Sequence, residues 1–123
     1  MTDARQAFGR AGEALAVAAL EARGYRILER RYRLRTGEVD IVARDGETIV
    51  FIEVKARHDR NFGDPSEAVT AQKQQRIVGL AREYLHQHRL DDAPCRFDVV
   101  TVLAGPGAAE VEVIVDAFRP GWT

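Results

Sequence analysis

Two strand-like segments of this sequence carry carboxylates and a lysine at spacings that suit metal-dependent chemistry. Asp40 lies in residues 38–43 and Glu53 in residues 48–55, and both segments are rich in valine and isoleucine, as strands usually are. Because side chains alternate between the faces of a strand, Lys55 points to the same side as Glu53. Carboxylates can bind a hard divalent cation such as Mg²⁺. A nearby ammonium group can orient or deprotonate an attacking water and stabilise charge that develops on a phosphate.

The link between the two segments decides whether these side chains meet. Asp45-Gly46 is a strong signal for a two-residue β-hairpin turn. Counting outward from that turn predicts that Asp40 faces Phe51 and that Glu38 faces Glu53. Asp40 is then a diagonal neighbour of Glu53 on one face of the hairpin, about 7 Å away at the backbone. A four-residue loop preserves this shared face, whereas a three-residue loop spoils it.

The same charges also have an ordinary structural explanation. A Glu-x-Lys sequence at a strand end is often a cross-strand ion pair, and Asp40 alone could be an isolated polar residue. Against this, like charges on neighbouring positions of a sheet destabilise it unless a cation joins them. The same face also becomes apolar at Ile49 and Phe51. The combination of Glu-x-Asp, a hairpin and Glu-x-Lys after a Val/Ile/Phe run is much more specific than any one of its parts.

The first helix must pack against this hairpin if it is to reach the site. Residues 3–23 follow a helical pattern that Gly24 should end. By periodicity alone, Glu13 falls on the exposed side of this helix. The predicted buried stripe of the helix is formed by Phe8, Ala11, Leu15, Ala18, Ala19 and Ala22.

The remaining elements indicate one mixed α/β domain over residues 1–123. Residues 25–34 form an extended segment before the hairpin. After it, a helix runs to about His88, with Val69, Ile77, Leu80, Ala81 and Tyr84 inward. Its cap is either Asp64-Pro65-Ser66-Glu67 or a later start near Thr70. Strands at 95–103 and 111–115 complete the order α-β-β-β-α-β-β, a mixed sheet with flanking helices.

Composition excludes several classes of protein. The single cysteine, Cys95, excludes an internal disulfide and a cysteine-based zinc cage. No apolar stretch is long enough to cross a bilayer and no signal peptide is recognisable, so we expect a cytoplasmic protein without a membrane partner. With 18 Lys and Arg against 19 Asp and Glu, the chain has no general attraction for polyanions. Arginines nevertheless cluster at 23–35, either as a solvated edge strand or as a phosphate-facing strip.

Further short motifs run along nearly the whole chain, and together they resemble a known family. Asp40 followed by Glu53-Val54-Lys55 is similar to the signature of the PD-(D/E)XK nuclease superfamily, with Val39 where the superfamily name has proline. More closely, the chain resembles the YraN family of predicted bacterial endonucleases, which are related to archaeal Holliday-junction resolvases. The matching segments are Gly9-Arg10-Ala11-Gly12-Glu13, Gly37-Glu38-Val39-Asp40, Val50-Phe51-Ile52-Glu53-Val54-Lys55-Ala56-Arg57, Phe62-Gly63, Glu67-Ala68-Val69, Lys73, Arg96-Phe97-Asp98-Val99-Val100 and Asp116-Ala117-Phe118.

The resemblance implies a restriction-endonuclease-like fold and metal-dependent hydrolysis of phosphodiester bonds. The expected cofactor is one or two Mg²⁺ or Mn²⁺ ions, and the expected partner is nucleic acid, DNA rather than RNA, with branched DNA as a candidate substrate. Asp40 and Glu53 would bind the metal together with the backbone carbonyl of Val54. Lys55 would position the attacking water. Resolvase-like relatives are commonly symmetric dimers, which suggests a homodimer here as well.

The resemblance also gives roles to residues outside the hairpin. A glutamate of the first helix joins the metal site in resolvase-like relatives, and Glu13 matches its position. Glu13 or Glu38 would therefore assist catalysis. Arg10, Arg57 and Lys73 would bind nucleic acid along the same cleft, although ion pairing at the surface explains such residues equally well.

Two other functions compete with nuclease activity. One is a catalytically inactive nucleic-acid- or protein-binding module on a nuclease fold. The other is a small structural or assembly protein in which the charged residues form an inert ion-pair cluster. Metal-stimulated cleavage of nucleic acid distinguishes the nuclease from the binding module, and metal binding distinguishes both from the inert cluster.

Overall fold

The element order predicted from the sequence is the order found in the computed structural model. The structure describes residues 2–58, 69–105 and 107–119, apart from the side chains of residues 2, 3 and 5. Two helices and five strands alternate as α-β-β-β-α-β-β. They are α1 (Thr2–Ala22), β1 (Arg26–Leu34), β2 (Gly37–Asp45), β3 (Thr48–Arg57), α2 (Ala71–Gln87), β4 (Cys95–Leu103) and β5 (Glu110–Ile114).

The five strands form one mixed sheet in the order β1-β2-β3-β4-β5. Only β3 and β4 are parallel, while the other neighbours are antiparallel. Parallel strands need a long crossover, and α2 supplies it between β3 and β4. β3 lies in the middle of the sheet, and its run Val50–Glu53 is buried, as expected for a strand covered on both faces.

The helices cover opposite faces of the sheet. Phe51 packs with Leu80 and Tyr84 of α2, whereas its neighbour Val50 packs with Leu20 of α1. Adjacent residues of a strand point to opposite faces, so two separate cores result. The predicted inward residues of α2 are all buried. No helix within the described ranges has the length and apolar character needed to cross a membrane.

The face that α1 buries differs from the predicted stripe. Leu15 is 41% exposed, whereas Ala16 and Leu20 are fully buried and Glu13 is only 6% exposed. The reason is a close approach: a methyl group added at Gly12 would lie 2.9 Å from Cβ of Ala56 in β3. Small residues, rather than the largest apolar ones, therefore determine which side of α1 meets the sheet.

The β2–β3 hairpin has a different register from the predicted one. Asp45 pairs with Thr48 and Val42 pairs with Phe51, so the predicted Asp40–Phe51 and Glu38–Glu53 pairs are wrong by two residues. The turn is Gly46-Glu47, and Gly46 has a φ of 62°, as a type II′ turn requires at its first central position. A shift by two residues keeps every side chain on its predicted face.

The second helix begins at the later of the two predicted positions. Thr70 caps α2, and its side chain accepts a hydrogen bond from the backbone N–H of Lys73 at 3.2 Å. The alternative cap, Asp64-Pro65-Ser66-Glu67, lies outside the described residues, as do Phe62, Gly63 and Ala68 of the family motifs.

A buried polar network explains the Arg96-Phe97-Asp98 motif. Asp98 is fully buried, and its carboxylate accepts hydrogen bonds from the Tyr25 hydroxyl at 2.7 Å, from Arg96 at 2.9 and 3.0 Å and from the backbone N–H of Asp116 at 2.9 Å. Burial and the bond to Asp98 raise the pKa of Tyr25 to about 12. The network joins the segment after α1 to β4 and to the residues just after β5, so this motif stabilises the fold.

Candidate active site

A cleft of about 600 Å³ opens between the first half of α1 and the ends of β1, β2 and β3. Six of the predicted site residues line this cleft, whereas Glu53, Arg57 and Lys73 are not part of its lining. Those that line it are Arg10, Glu13, Glu38, Asp40, Val54 and Lys55.

Asp40 is fixed at the point where the β2–β3 ladder ends. Ile41 and Ile52 form the last pair of that ladder. Beyond it, the backbone N–H of Val54 donates to Oδ2 of Asp40 at 2.8 Å. A side chain thus takes the place of a backbone partner, which satisfies the Val54 N–H and holds the Asp40 carboxylate against β3.

Asp40 and Glu53 form a repelling pair of carboxylates. Burial, and secondly the charge of Glu53, raise the pKa of Asp40 to about 7, although the bond from Val54 works in the opposite direction. Glu53 is only 6% exposed, and its Oε1 lies 2.8 Å from Nζ of Lys73. Its other oxygen, Oε2, is buried without a hydrogen-bond partner. An unpartnered oxygen of a buried carboxylate is costly in a protein interior.

The chain has only two lysines, Lys55 and Lys73, and both lie at this pair of carboxylates. Burial, and then the neighbouring Lys73, lower the pKa of Lys55. Burial is the largest influence on Lys73 and also lowers its pKa, but the hydrogen bond and charge of Glu53, together with Lys55 and Asp40, outweigh burial and raise the pKa of Lys73. The described geometry is therefore a compact group of two carboxylates and two ammonium groups.

Glu13 lies on the wall of the cleft, but two arginines of β1 hold its carboxylate. Nε of Arg31 lies 3.1 Å from each carboxylate oxygen, and Arg30 approaches to 3.6 Å. Successive strand residues normally point to opposite faces. Arg31 has a φ of 56°, and this left-handed conformation interrupts the alternation, so that both arginines reach one glutamate.

The other predicted residues lie at the edge of the cleft or outside it. Glu38 accepts two hydrogen bonds from Arg33, at 3.0 and 2.8 Å, and this pair is at the surface. Arg10 lines the cleft from α1. Arg57 is the last residue of β3 and is not part of the cleft lining.

The donor set fits a hard divalent cation that retains water ligands. Within the described ranges, no three His, Cys, Asp or Glu side chains gather closely enough to hold a metal by themselves. Mg²⁺ is commonly bound through one or two carboxylates and several waters. Asp40 and the unpartnered Oε2 of Glu53 are of this kind, and so is a backbone carbonyl such as that of Val54.

Two contacts were not predicted from the sequence. Lys73 was predicted either to contact nucleic acid or to form an ion pair at the surface, and it pairs with the buried Glu53. Arg31 was counted only as a member of an arginine cluster, yet it holds Glu13. Both contacts join residues that are distant in the chain, and no local spacing signals them.

Comparison with known proteins gives consistent matches over almost the full length. The family model described as "Uncharacterised protein family UPF0102" matches residues 12–102. A UPF0102 protein of Syntrophus aciditrophicus is 52% identical over 111 residues, which cover 90% of this chain and 87% of that protein. One of Moorella thermoacetica is 50% identical over 120 residues, or 96% and 100% of the two chains. One of Anaeromyxobacter dehalogenans is 48% identical over 123 residues, or 97% and 92%.

Proposed function

The chain belongs to the uncharacterised protein family UPF0102, in agreement with its resemblance to the YraN family, and we propose that it is a metal-dependent endonuclease that hydrolyses phosphodiester bonds in nucleic acid. The family description assigns no activity. The observation that carries the proposal is the buried, unpartnered Oε2 of Glu53 next to the Asp40 carboxylate. A small divalent cation would offset the repulsion between the two carboxylates and would give the unpartnered oxygen a ligand bond.

In the proposed site, the carboxylates bind the metal, and Lys55 acts on the attacking water and the phosphate. Asp40 and Glu53 would hold Mg²⁺ or Mn²⁺, with the carbonyl of Val54 as a further ligand. When bound, such an ion lowers the pKa of a coordinated water and neutralises charge on a phosphate. Lys55 orients the attacking water through its ammonium group and stabilises the negative charge that develops on the phosphodiester.

The arginines of the cleft wall supply the contacts that bind the polyanion. Arg10 and Arg33 line the cleft, and Arg33 belongs to β1, the edge strand of the sheet. Arg26, Arg30 and Arg35 are exposed on and just after the same strand. Exposed guanidinium groups along this strand can contact successive phosphates, which supports the phosphate-facing interpretation for this part of the arginine cluster.

Cleavage of labelled substrates tests the proposal directly. The panel comprises a four-way DNA junction, a flap, a duplex, single-stranded DNA and single-stranded RNA, each with Mg²⁺, Mn²⁺ or EDTA. We expect metal-dependent cleavage of at least one DNA substrate by the parent protein, and no cleavage by Glu53→Gln. We propose DNA over RNA, and a branched substrate, on the strength of the family resemblance. A homodimer, checked by light scattering with and without the junction, would present two sites to such a substrate.

A second function is supported by the ion pairs of the site. Lys73 pairs with Glu53, Arg31 with Glu13 and Arg33 with Glu38, so most of the negative charge already has a cationic partner. A permanent set of such pairs would suit a catalytically inactive module that binds nucleic acid or protein. A parent protein that binds the junction but cuts no substrate with either metal would establish this function instead.

A further inference from the structure

Lys73 is the cationic partner of Glu53, the buried carboxylate that is assigned above to the metal. Its Nζ lies 2.8 Å from Oε1 of Glu53. We propose that Lys73 is a displaceable counter-ion: it neutralises Glu53 in the metal-free protein, leaves when a divalent cation binds, and then contacts a phosphate of the nucleic acid. The inference rests on the proposed function, because it concerns the loading of the same site.

The position of Lys73 in α2 favours this role. Lys73 lies in the first turn of the helix, where Thr70 caps the N-terminus and accepts a bond from the backbone N–H of Lys73. The helix dipole makes a cation unfavourable in a first turn. Its contact with Glu53 offsets this. Once a metal neutralises Glu53, the lysine side chain is left with repulsion from both the helix terminus and the metal.

The Lys73 side chain is more exposed than that of Glu53, as displacement of the lysine requires. The Lys73 side chain is 32% exposed, whereas that of Glu53 is 7% exposed. Lys73 can therefore swing its ammonium group into solvent by rotating a flexible stem, without opening the core. Glu53 has no such freedom, so the carboxylate stays in place as the cation partner changes.

Lysine is rare in this chain, and it occurs at the carboxylate pair of Asp40 and Glu53. The 18 basic residues of the chain include only two lysines, and both lie at the site. The glutamates on the cleft wall are held by arginines instead: Arg31 contacts both oxygens of Glu13, and Arg33 makes two bonds to Glu38. A guanidinium group holds a carboxylate through several fixed donors, whereas an ammonium group is a compact, mobile point charge. The pair at Glu53 is thus the easier one to break.

Charge balance couples metal binding to nucleic-acid binding. Asp40 and Glu53 together balance Lys55 and Lys73, so a divalent cation leaves the group with excess positive charge. A phosphodiester reduces that excess and gives Lys73 a new partner. Metal affinity should therefore rise when nucleic acid is bound, and the affinity for nucleic acid must rise by the same factor when metal is bound.

Calorimetric titration with Mn²⁺ alone tests the counter-ion role without reference to activity. At pH 8, Lys73→Met should bind Mn²⁺ about tenfold or more tightly than the parent, because a positive charge beside the cation is removed. Lys73→Arg, which retains the charge, should not bind more tightly than the parent. Arg23→Met removes an exposed cation ten residues along from Glu13, roughly 15 Å away along the helix axis, and should match the parent. Circular dichroism checks folding, and Lys73→Gln replaces the methionine variant if that one unfolds.

Nuclear magnetic resonance of labelled lysine gives a second, independent readout. A chain with two lysines has two sets of ε-methylene signals, which Lys55→Arg and Lys73→Arg assign. Addition of Mg²⁺ to the parent should move the Lys73 signal towards its position in Glu53→Gln, in which the partner charge is absent. A Lys73 signal that stays unchanged while the metal binds would overturn the inference.

The outcomes separate this inference from the proposed function. Equal or weaker Mn²⁺ binding by Lys73→Met shows that Lys73 is not a competing counter-ion, even if the parent cleaves DNA. Tighter binding supports the inference, even if no substrate of the panel is cut. Absence of Mn²⁺ binding by parent and variants alike contradicts both.

Discussion

The backbone N–H of Val54 donates a 2.8 Å hydrogen bond to Oδ2 of Asp40. Through this bond β2 and β3 remain attached beyond their last backbone pair, Ile41–Ile52. The bond determines where the Asp40 carboxylate lies, next to Glu53, so the folding of the hairpin itself brings two negative charges together. The folded chain therefore holds two carboxylates that repel each other side by side.

Asp40→Asn should stabilise the metal-free protein while abolishing metal binding. The asparagine side-chain oxygen can still accept the bond from Val54, and its amide can donate to Glu53 in place of repelling it. Because burial and Glu53 raise the pKa of Asp40 to about 7, we expect a gain of about 1–2 kcal/mol at pH 8. Urea unfolding in EDTA measures it. Severe destabilisation would mean that the Asp40 carboxylate is needed for folding.

The same residue should make the stability of the metal-free protein depend on pH. A carboxyl group whose pKa is raised by folding stabilises the protein in its protonated form, below the ordinary pKa of 3.8, and this contribution is lost as the pH rises towards about 7. The free energy of unfolding of the parent should thus fall relative to Asp40→Asn between pH 4 and pH 7. Saturating Mg²⁺ should reduce the difference, because the cation offsets the repulsion. A constant difference across this range would contradict the assignment.

The sequence was sufficient to predict which face of the hairpin carries Asp40 and Glu53, but not the pairing of its strands. The Asp45-Gly46 signal predicts a turn one residue before the actual one: Gly46-Glu47 forms the turn, and Gly46 adopts a positive φ at its first central position. Local sequence does not decide between these two turns. The shift is an even number of residues, so Asp40 and Glu53 still come together. Because side chains alternate between the two faces of a strand, a register error of two residues leaves both carboxylates on the predicted face.

The orientation of α1 could not be predicted for a different reason. Periodicity of apolar residues favoured a face containing Leu15, which is 41% exposed, over the buried face of Ala16 and Leu20. A periodicity argument gives most weight to large apolar residues. The close contact of Gly12 with Ala56, however, is possible only because Gly12 has no side chain. Glu13 follows Gly12 and is buried with it. Periodicity alone placed Glu13 on the exposed side of the helix, whereas its match to a family motif placed it at the site.

Two glycine substitutions in α1 should have opposite effects. Gly12→Ala places a methyl group 2.9 Å from Cβ of Ala56 and should destabilise the protein by about 1–3 kcal/mol, as overpacking does. Gly9→Ala is the matched control, since a methyl group there meets no atom within 4 Å. It should stabilise the helix by roughly 0.5–1 kcal/mol. Urea unfolding compares the two, and equal effects would show that α1 does not press on β3 at Gly12.

Substitutions at Arg31 should reverse the usual order of alanine and glycine in a strand. Both Arg31→Ala and Arg31→Gly remove the nearer of the two arginines that hold the buried Glu13 carboxylate, and a loss of about 1–2 kcal/mol is expected because Arg31 is partly exposed. A φ of 56° suits glycine but strains alanine by roughly 1 kcal/mol or more. Arg31→Gly should therefore be the more stable variant, although glycine is ordinarily the weaker strand residue. Thermal unfolding settles the order.

Lys55→Ala is the variant that tests the proposed chemistry most sharply. Lys55 lines the cleft, while Asp40 and Glu53 are the residues assigned to the metal. Removing a positioned cation from the developing transition state is typically worth about a hundredfold to a thousandfold in rate. Lys55→Ala should therefore lose metal-dependent cleavage by about that factor but retain its fold and its affinity for Mn²⁺. Glu53→Gln should lose metal affinity and cleavage together.

The control for Lys55→Ala is Arg82→Ala, which also removes one cation, is exposed on α2 and is not part of the cleft lining. It should cleave like the parent, so that a loss specific to Lys55 cannot be attributed to net charge. Single-turnover rates at saturating metal separate the chemical step from metal loading. Cleavage by Lys55→Ala at the parent rate would refute the role of Lys55 even with fold and metal site intact. Normal cleavage by Lys55→Ala together with a large loss in Lys73→Ala would transfer the role to the second lysine, because both ammonium groups lie beside the same two carboxylates.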